Sequence, residues 1–237
     1  MNRSRFPGEQ LPLAIRLRTD ASFDNFVAND AAVHALRAWL ARGDGGVFSL
    51  AGPPGSGRSH LLQAACQELS TAPDAGTFYL PLRQLAEQNP VELLESLDQA
   101  RLLCLDDIDA VTGDPLWAEQ LFYLFNRLVE RGGHLLVAAA AAAASIPCAL
   151  PDLRSRLSWG GSFHLQALDD AGLHRLLQLR ARERGLDIAD EVTVYILSRH
   201  ARDVAAILGL LEKLDQHSLV HKKRVTIPLV RQLLDPD

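Results

Sequence analysis

The chain has 237 residues and a formal net charge of −5, and 48% of its side chains are hydrophobic. This length allows one large domain or a base with a smaller lobe, and the acidic balance excludes the general attraction to nucleic acid that basic proteins show. Its three cysteines form no C-x-x-C pair, so the sequence predicts neither a disulfide framework nor a zinc site. Its longest apolar run, 135–144, is too short to cross a bilayer. We therefore expect a soluble, cytoplasmic protein without a membrane partner.

Short β-branched or aromatic runs alternate with helical patterns over the first two thirds of the chain. The predicted strands lie at 46–51, 77–80, 101–106, 134–138 and 162–165. The predicted helices before and between them lie at 29–42, 59–70, 90–98 and 115–131. Beyond about residue 167 only helices are predicted, at 168–184, 189–199, 202–218 and 226–234. The pattern predicts an α/β base with a parallel sheet flanked by helices, followed by a small all-helical lid.

The first predicted strand runs into a glycine-rich loop and then a helix. The loop and the start of the helix read Gly52-Pro53-Pro54-Gly55-Ser56-Gly57-Arg58-Ser59-His60. The glycines let backbone N–H groups converge on anionic oxygens, and the helix adds its positive N-terminal end. We therefore predict that this P-loop binds the phosphates of a nucleotide.

One position of the P-loop departs from the usual pattern, because Arg58 stands where lysine is expected. Arginine keeps a permanent charge and grips phosphate oxygens through a planar fork, but it is not the compact ammonium that reaches the β- and γ-phosphates. We expect nucleotide binding to survive this change better than hydrolysis.

An apolar strand pattern ends in two carboxylates, Asp106 and Asp107. At the carboxyl edge of the sheet, Asp106 is predicted to hold Mg²⁺ together with the Ser59 hydroxyl, and Asp107 is predicted to orient a water molecule. Two acids after a strand are by themselves a weak indication of a magnesium site, but in a chain that also has a P-loop they are a strong one. Aspartate at the second position is one methylene shorter than the glutamate often found there, which lowers the expected water activation.

Several segments together resemble the AAA+ family of the bacterial replication initiator DnaA. They are Phe23–Val27, the P-loop, Leu105–Ile108 and Leu153–Gly160. Likeness to the short members of that family extends over Leu150–Leu153, Leu179–Arg182 and Val225–Pro228, so the resemblance spans essentially the whole chain. It implies an N-terminal segment at 1–20 that is flexible and binds the sliding clamp, an AAA+ nucleotide-binding base at 21–166 and a helical lid at 167–237. It also adds Phe23 and Val27 to the nucleotide-binding residues.

The resemblance places Arg156 at the family's arginine-finger position, where it would act on a neighbouring subunit's nucleotide. A finger supplied in trans contributes on the order of 10³–10⁵ in rate. The plainer alternative is a surface arginine paired with an acid. Two contacts that relatives make to their own nucleotide are missing, because Ala138-Ala139 and Ala205 stand where a polar residue and a lid arginine are expected. We therefore expect weak or no ATPase activity by the chain alone, with ADP (or ATP) and Mg²⁺ bound.

The N-terminal sequence Gln10-Leu11-Pro12-Leu13-Ala14-Ile15 is similar to the short peptide with which members of the family dock on the bacterial sliding clamp. A glutamine with alternating aliphatic side chains suits a hydrophobic pocket with a polar rim, and Pro12 reduces the entropy lost on docking. Gln10, Leu11, Leu13 and Ile15 are the expected clamp-binding residues. Considered without the family, the same six residues would be read as a tethering strand.

The resemblance implies a regulator of replication initiation. With the DNA-loaded clamp (the β subunit of DNA polymerase III), it would present Arg156 to ATP-bound DnaA, stimulate hydrolysis and so repress re-initiation. DNA would be reached only through the clamp, and self-association stays open. The main alternative is an autonomous AAA+ ATPase that acts as a loader or remodeller. A DNA-binding adaptor is disfavoured by the acidic balance, and we expect no DNA-binding domain after Asp237.

Overall fold

A computed structural model describes residues 21–70, 76–199, 203–221 and 225–234. Its sheet has five strands, which are β1 (Gly46–Ala51), β2 (Thr77–Pro81), β3 (Leu102–Asp106), β4 (His134–Ala139) and β5 (Gly161–His164). The strand order is β2-β3-β4-β1-β5, and every neighbouring pair is parallel. All five predicted strands are confirmed, each within one residue at either end.

Helices flank this sheet and follow it. Those of the base are α1 (Asp30–Arg42), α2 (Arg58–Leu69), α3 (Leu82–Leu85), α4 (Pro90–Leu93), α5 (Pro115–Glu130) and α6 (Pro151–Leu157). Those of the C-terminal region are α7 (Asp170–Glu183), α8 (Asp190–Arg199), α9 (Val204–His221) and α10 (Ile227–Leu234). The predicted α/β class with a helical lid is confirmed. No helix in the described ranges is long and apolar enough to span a membrane.

The predicted helix at 90–98 is wrong beyond its first turn. Helix α4 ends at Leu93, and Ser96 adopts a left-handed backbone with φ of 66°. A short 3₁₀ turn over Leu97–Gln99 follows and buries Leu97. A continuous helix requires right-handed dihedrals at every residue, so the left-handed residue ends it. The apolar periodicity of the segment comes from two short turns that bury side chains against the same core.

The sheet is buried on both faces, as expected for parallel strands covered by helices. All five residues of β3 and all six of β4 are buried. One face packs against α5 through Trp117, Leu121, Leu124, Phe125 and Leu128, and the other packs against α1 and α2. Burial of side chains of this size contributes about 1.5–3 kcal/mol each, which fixes the carboxyl ends of the strands at a common edge.

The lid helices enclose a hydrophobic core of their own. Its fully buried members include Leu177, Ile196, Leu211, Leu214 and Val230. Helix α7 begins at an N-cap, Asp169, whose carboxylate accepts a hydrogen bond from the backbone N–H of Gly172 at 2.7 Å. The cap orients the helix as it leaves β5. The lid is therefore a separately packed unit that is brought against the carboxyl edge of the sheet.

Candidate nucleotide-binding site

The loop between β1 and α2 has close contacts that exclude side chains at two glycines. Gly57 has a φ of 93°, and a Cβ there would lie 2.4 Å from the Phe26 ring. A Cβ on Gly52 would lie 2.7 Å from the Ser56 hydroxyl oxygen. Contacts this short require glycine. The Ser56 hydroxyl is buried and has no hydrogen-bond partner among the described residues, so it is available to a ligand.

A cavity of about 300 Å³ lies between the P-loop, the segment before α1 and the lid helices. The base contributes Asn25, Phe26, Val27 and Gly55–His60, and the lid contributes Leu168, Leu176, Arg180, Val204, Ala205 and Leu208. One side of the cavity offers backbone amides and charge, and the other offers aliphatic surface. Small-molecule sites have this size and this mixture of linings. The arrangement suits a ligand with an apolar ring at one end and anionic groups at the other.

The side chain of Arg58 points back toward the end of β3. Its Nη2 donates to Asp107 Oδ1 at 3.2 Å, while Arg83 Nε donates to Asp107 Oδ2 at 3.1 Å. Both oxygens of Asp107 are thus engaged by arginines, and its backbone is left-handed with φ of 49°. The Arg58 Nη1 atom is buried and has no partner in the described part of the chain, so it remains a donor for an anionic ligand.

Asp106 is buried and held by three hydrogen bonds. The Tyr79 hydroxyl donates to its Oδ2 at 2.8 Å, the backbone N–H of Asp107 donates to its Oδ1 at 3.1 Å, and the Ser59 hydroxyl also contacts it. Burial raises the pKa of the Asp106 carboxyl, and the bonds from Ser59 and Tyr79 oppose that rise. Burial also raises the pKa of the Tyr79 phenol.

The two predicted magnesium ligands are neighbours, because the Ser59 hydroxyl contacts the Asp106 carboxylate. Within the described ranges no group of three or more His, Cys, Asp or Glu side chains is arranged to hold a metal. Mg²⁺ commonly takes one or two protein oxygens and completes its shell with water and phosphate oxygens. Ser59 and Asp106 fit that kind of site.

Arg156 lies near the end of α6 and is not among the residues that line the cavity. Its guanidinium stacks on the Trp159 ring, with Cζ 4.1 Å from the ring centroid. Trp159 is 54% exposed, and no carboxylate in the described residues forms an ion pair with Arg156. The side chain is thus oriented at the surface by an aromatic ring instead of by an acid.

The structure separates the other predicted residues into three groups. Val27 lines the cavity, as do Gly55, Ser56, Gly57, Arg58, Ser59 and His60. Gly52, Pro53 and Pro54 form the start of the loop outside that lining, and Phe23 is buried in the core with the Arg37 guanidinium 5.0 Å from its ring. Gln10, Leu11, Leu13 and Ile15 lie outside the described residues.

Sequence reasoning missed several residues that line the cavity. Asn25 and Phe26 lie in the segment 23–27 that carries the family resemblance, which predicts a nucleotide contact for Phe23 and Val27 alone. Arg180 lies in Leu179–Arg182, for which the resemblance predicts no role. Leu168, Leu176 and Leu208 show only ordinary helical periodicity, so the sequence carries no signal that they line a cavity.

The chain matches two protein-family sequence profiles that together cover nearly all of it. The profile described as "Bacterial DnaA ATPAse domain" matches residues 17–164, more than half of the chain. The profile described as "Hda, lid domain" matches residues 166–234.

Solved structures with the same fold include two DnaA proteins and the motor protein RuvB. Domain III of the Thermotoga maritima replication initiation protein DnaA superposes with a TM-score of 0.80 at 21% identity, over 92% of this chain and 97% of that one. AMPPCP-bound DnaA from Aquifex aeolicus superposes with a TM-score of 0.70 at 21% identity, over 86% of this chain and 67% of that one. The Thermotoga maritima RuvB Holliday junction branch migration motor superposes with a TM-score of 0.69 at 21% identity, over 92% of this chain and 72% of that one. At these identities the similarity establishes the fold.

Proposed function

Because this chain belongs to the family of bacterial DnaA ATPase domains and carries an Hda-type lid, we propose that it is a nucleotide-bound regulator of the initiator DnaA. In this role it binds ADP (or ATP) with Mg²⁺ and stimulates hydrolysis of the ATP bound to DnaA. It does so while attached to the DNA-loaded sliding clamp. The product is ADP-bound DnaA, and re-initiation of replication is repressed.

Nucleotide binding is supported by the cavity and by its unpartnered donors. The Ser56 hydroxyl and Arg58 Nη1 are buried without partners in the described residues, and backbone amides of the P-loop flank them. Buried donors without partners cost about 1–3 kcal/mol each, a cost that a phosphate would remove. DnaA of Aquifex aeolicus carries the nucleotide analogue AMPPCP in a protein of this fold.

Magnesium would be held by the Ser59 hydroxyl and the Asp106 carboxylate. When bound, it neutralises phosphate charge. Tyr79 orients Asp106 through its 2.8 Å hydrogen bond, and the buried position of that carboxylate keeps bulk water away.

The arrangement around Asp107 favours a regulator over the alternative of an autonomous ATPase. Each oxygen of Asp107 already accepts from an arginine, which leaves fewer acceptor positions to orient a water molecule. Ala138 and Ala139 end β4 without a polar group, and Ala205 lines the cavity without a charge. The chain's own site is therefore equipped to retain a nucleotide better than to cleave it.

The single observation that carries the proposal is the position of Arg156. It stands away from the chain's own cavity, at the surface, on an exposed aromatic ring. In this proposal the Arg156 guanidinium enters a partner's site and neutralises the charge that develops on the transferred phosphoryl group. The partner in this proposal is ATP-bound DnaA. The clamp is bound through Gln10, Leu11, Leu13 and Ile15, and this part of the proposal rests on their sequence pattern.

The test is hydrolysis of labelled ATP bound to DnaA in the presence of this protein, ADP and clamp loaded on DNA, with each component omitted in turn. We expect conversion to ADP only when all are present. Conversion that is independent of the clamp would remove the clamp from the proposal. Absence of conversion, together with ATP turnover by this protein alone, would favour the loader or remodeller.

A further inference from the structure

Five residues form a closed hydrogen-bonded ring where the lid meets the base. Asn25 Nδ2 donates to Glu183 Oε1 at 2.8 Å, and Arg180 Nη1 donates to Glu183 Oε2 at 2.7 Å. Arg180 Nη2 lies 3.2 Å from His60 Nδ1, and His60 Nε2 lies 2.8 Å from the backbone carbonyl oxygen of Ser22. Ser22 and Asn25 close the ring with two backbone-to-side-chain bonds of 3.0 and 3.2 Å.

The donors and acceptors of the ring are mutually consistent. A carbonyl oxygen only accepts, so His60 Nε2 carries the hydrogen and donates to Ser22. Its Nδ1 is then free of hydrogen and accepts from Arg180. The carboxylate of Glu183 uses one oxygen for Asn25 and the other for Arg180. Each bond orients the next, which is the condition under which a hydrogen-bond network rigidifies a site.

The ring joins three distant parts of the chain at one wall of the cavity. Ser22 and Asn25 precede α1, His60 is in the first turn of α2 directly after the P-loop, and Arg180 and Glu183 are in α7 of the lid. Asn25, His60 and Arg180 line the cavity. The Arg180 side chain is only 4% exposed, so its charge is compensated by the ring and by other contacts inside the protein instead of by bulk water.

We infer that this ring is a latch that holds the lid against the base and sets how slowly a nucleotide leaves the cavity. The inference rests on the proposed nucleotide binding. Lid residues Leu168, Leu176 and Leu208 cover the cavity, so a ligand leaves when α7 moves away from the base. That motion breaks the Asn25–Glu183 and His60–Arg180 bonds, both of which involve a charged group. Arg180 and Glu183 are therefore positioning residues of the site, separate from the P-loop.

The latch is tested by stopped-flow kinetics with the fluorescent ADP analogue mant-ADP on the full chain. Arg180→Ala and Glu183→Gln are compared with Arg182→Ala, an exposed arginine of the same helix. Loss of a buried charged bond predicts release about tenfold faster for Arg180→Ala, a smaller increase for Glu183→Gln, and association rates within about twofold of wild type. Arg182→Ala is expected to match wild type. A merely structural defect would lower the bound fraction without this selective change in the release rate.

Asn25→Ala keeps the test decisive if Arg180→Ala fails to fold. It removes the bond from Asn25 Nδ2 to Glu183 and the bond that Asn25 Oδ1 accepts from the Ser22 N–H, and it leaves the Arg180–Glu183 pair within the lid intact. Release of mant-ADP should again be faster, with circular dichroism showing that the nucleotide-free variant is folded. Release at the wild-type rate in the folded variants would overturn the latch and leave nucleotide binding standing. Failure of the wild-type chain to bind mant-ADP would overturn both.

Discussion

Arg58 Nη2 and Asp107 Oδ1 are 3.2 Å apart, which joins the P-loop helix to the end of β3 across the phosphate site. Arg58 is expected to bind phosphate and Asp107 is expected to orient water, and here the two side chains form an ion pair with each other. Arg83 holds the second oxygen of the same carboxylate at 3.1 Å. The Arg83 side chain is 62% exposed, so its contribution is modest, whereas the Arg58 side chain is 11% exposed and its ion pair is better shielded from water.

Releasing Asp107 from its arginines should raise ATP turnover by the chain alone. We expect wild-type turnover near background and an increase of about tenfold for Arg58→Lys combined with Arg83→Ala, because lysine is the usual P-loop cation and Asp107 then loses both arginine hydrogen bonds. Steady-state phosphate release measures this, with Arg101→Ala as an exposed-arginine control. Turnover that stays at background in the double variant would show that Asp107 is not what limits hydrolysis.

Gly57→Ala should weaken nucleotide binding. The added Cβ would lie 2.4 Å from the Phe26 ring, at a residue whose φ of 93° already disfavours a side chain, so Phe26 and the loop must shift. We expect affinity for mant-ADP to fall at least about tenfold, measured by fluorescence titration. Gly113→Ala is the matched control, because a Cβ there meets nothing within 4 Å. Equal loss in both variants would indicate a general defect in folding.

The phosphate site of the base could be predicted because the residues that form it are contiguous in the sequence. The run 52–60 specifies a phosphate loop by its glycine spacing, and Asp106 ends a strand whose other residues, 102–105, are all apolar. Both patterns place their groups at the carboxyl edge of a parallel sheet without further information. The departure at Ser96 was not predictable, because serine carries no local preference for a left-handed backbone and the break follows from packing of Leu97.

Contacts between distant segments were the part that the sequence did not reveal. Arg58 and Asp107 are 49 residues apart, and Asn25 and Glu183 are 158 apart. The Arg58–Asp107 pair forms because α2 packs beside β3 within the base, whereas the Asn25–Glu183 pair forms because the lid docks on the base. The segment at 23–27 shows the same limit, since the Phe23 ring packs in the core while Phe26 and Val27 line the cavity, a division that follows from packing.

His134 should make the fold sensitive to mild acid. It is buried beside Trp39, with ring centroids 4.8 Å apart, and burial lowers the pKa of its imidazole from the usual value near 6.5. The unfolded chain then binds a proton at a higher pH than the folded one, so stability is lost as the pH falls below about 6.5. Urea unfolding from pH 7.5 to 5 should show a steeper decline for wild type than for His134→Phe, while the exposed-residue control His34→Phe keeps the wild-type slope. Identical slopes for wild type, His134→Phe and His34→Phe would show that groups other than His134 cause the acid sensitivity.

Leu11→Ala combined with Leu13→Ala should lose clamp association. These aliphatic side chains are the anchors expected in the clamp's hydrophobic pocket, and burial of a leucine contributes about 1.5–3 kcal/mol. The double variant should therefore bind at least about a hundredfold more weakly by surface plasmon resonance, with mant-ADP binding unchanged. Pro7→Ala, in the same segment, serves as the control. Undiminished binding by the double variant would remove this peptide from the proposal.

Arg156 and Trp159 should affect stimulation of DnaA to different degrees. Arg156→Ala removes the group that neutralises charge in the partner's site, so stimulation should fall to background. Trp159→Ala leaves the guanidinium in place without its aromatic support, and a stack of this kind at an exposed site contributes about 0.5–1 kcal/mol. Stimulation should then fall about two- to fivefold, and Trp159→Phe should recover most of it because a ring remains. The rate of DnaA-bound ATP hydrolysis at saturating clamp measures all three, with circular dichroism to check folding. Full stimulation by Arg156→Ala would remove the finger assignment, whereas full stimulation by Trp159→Ala would show that the finger is positioned without the ring.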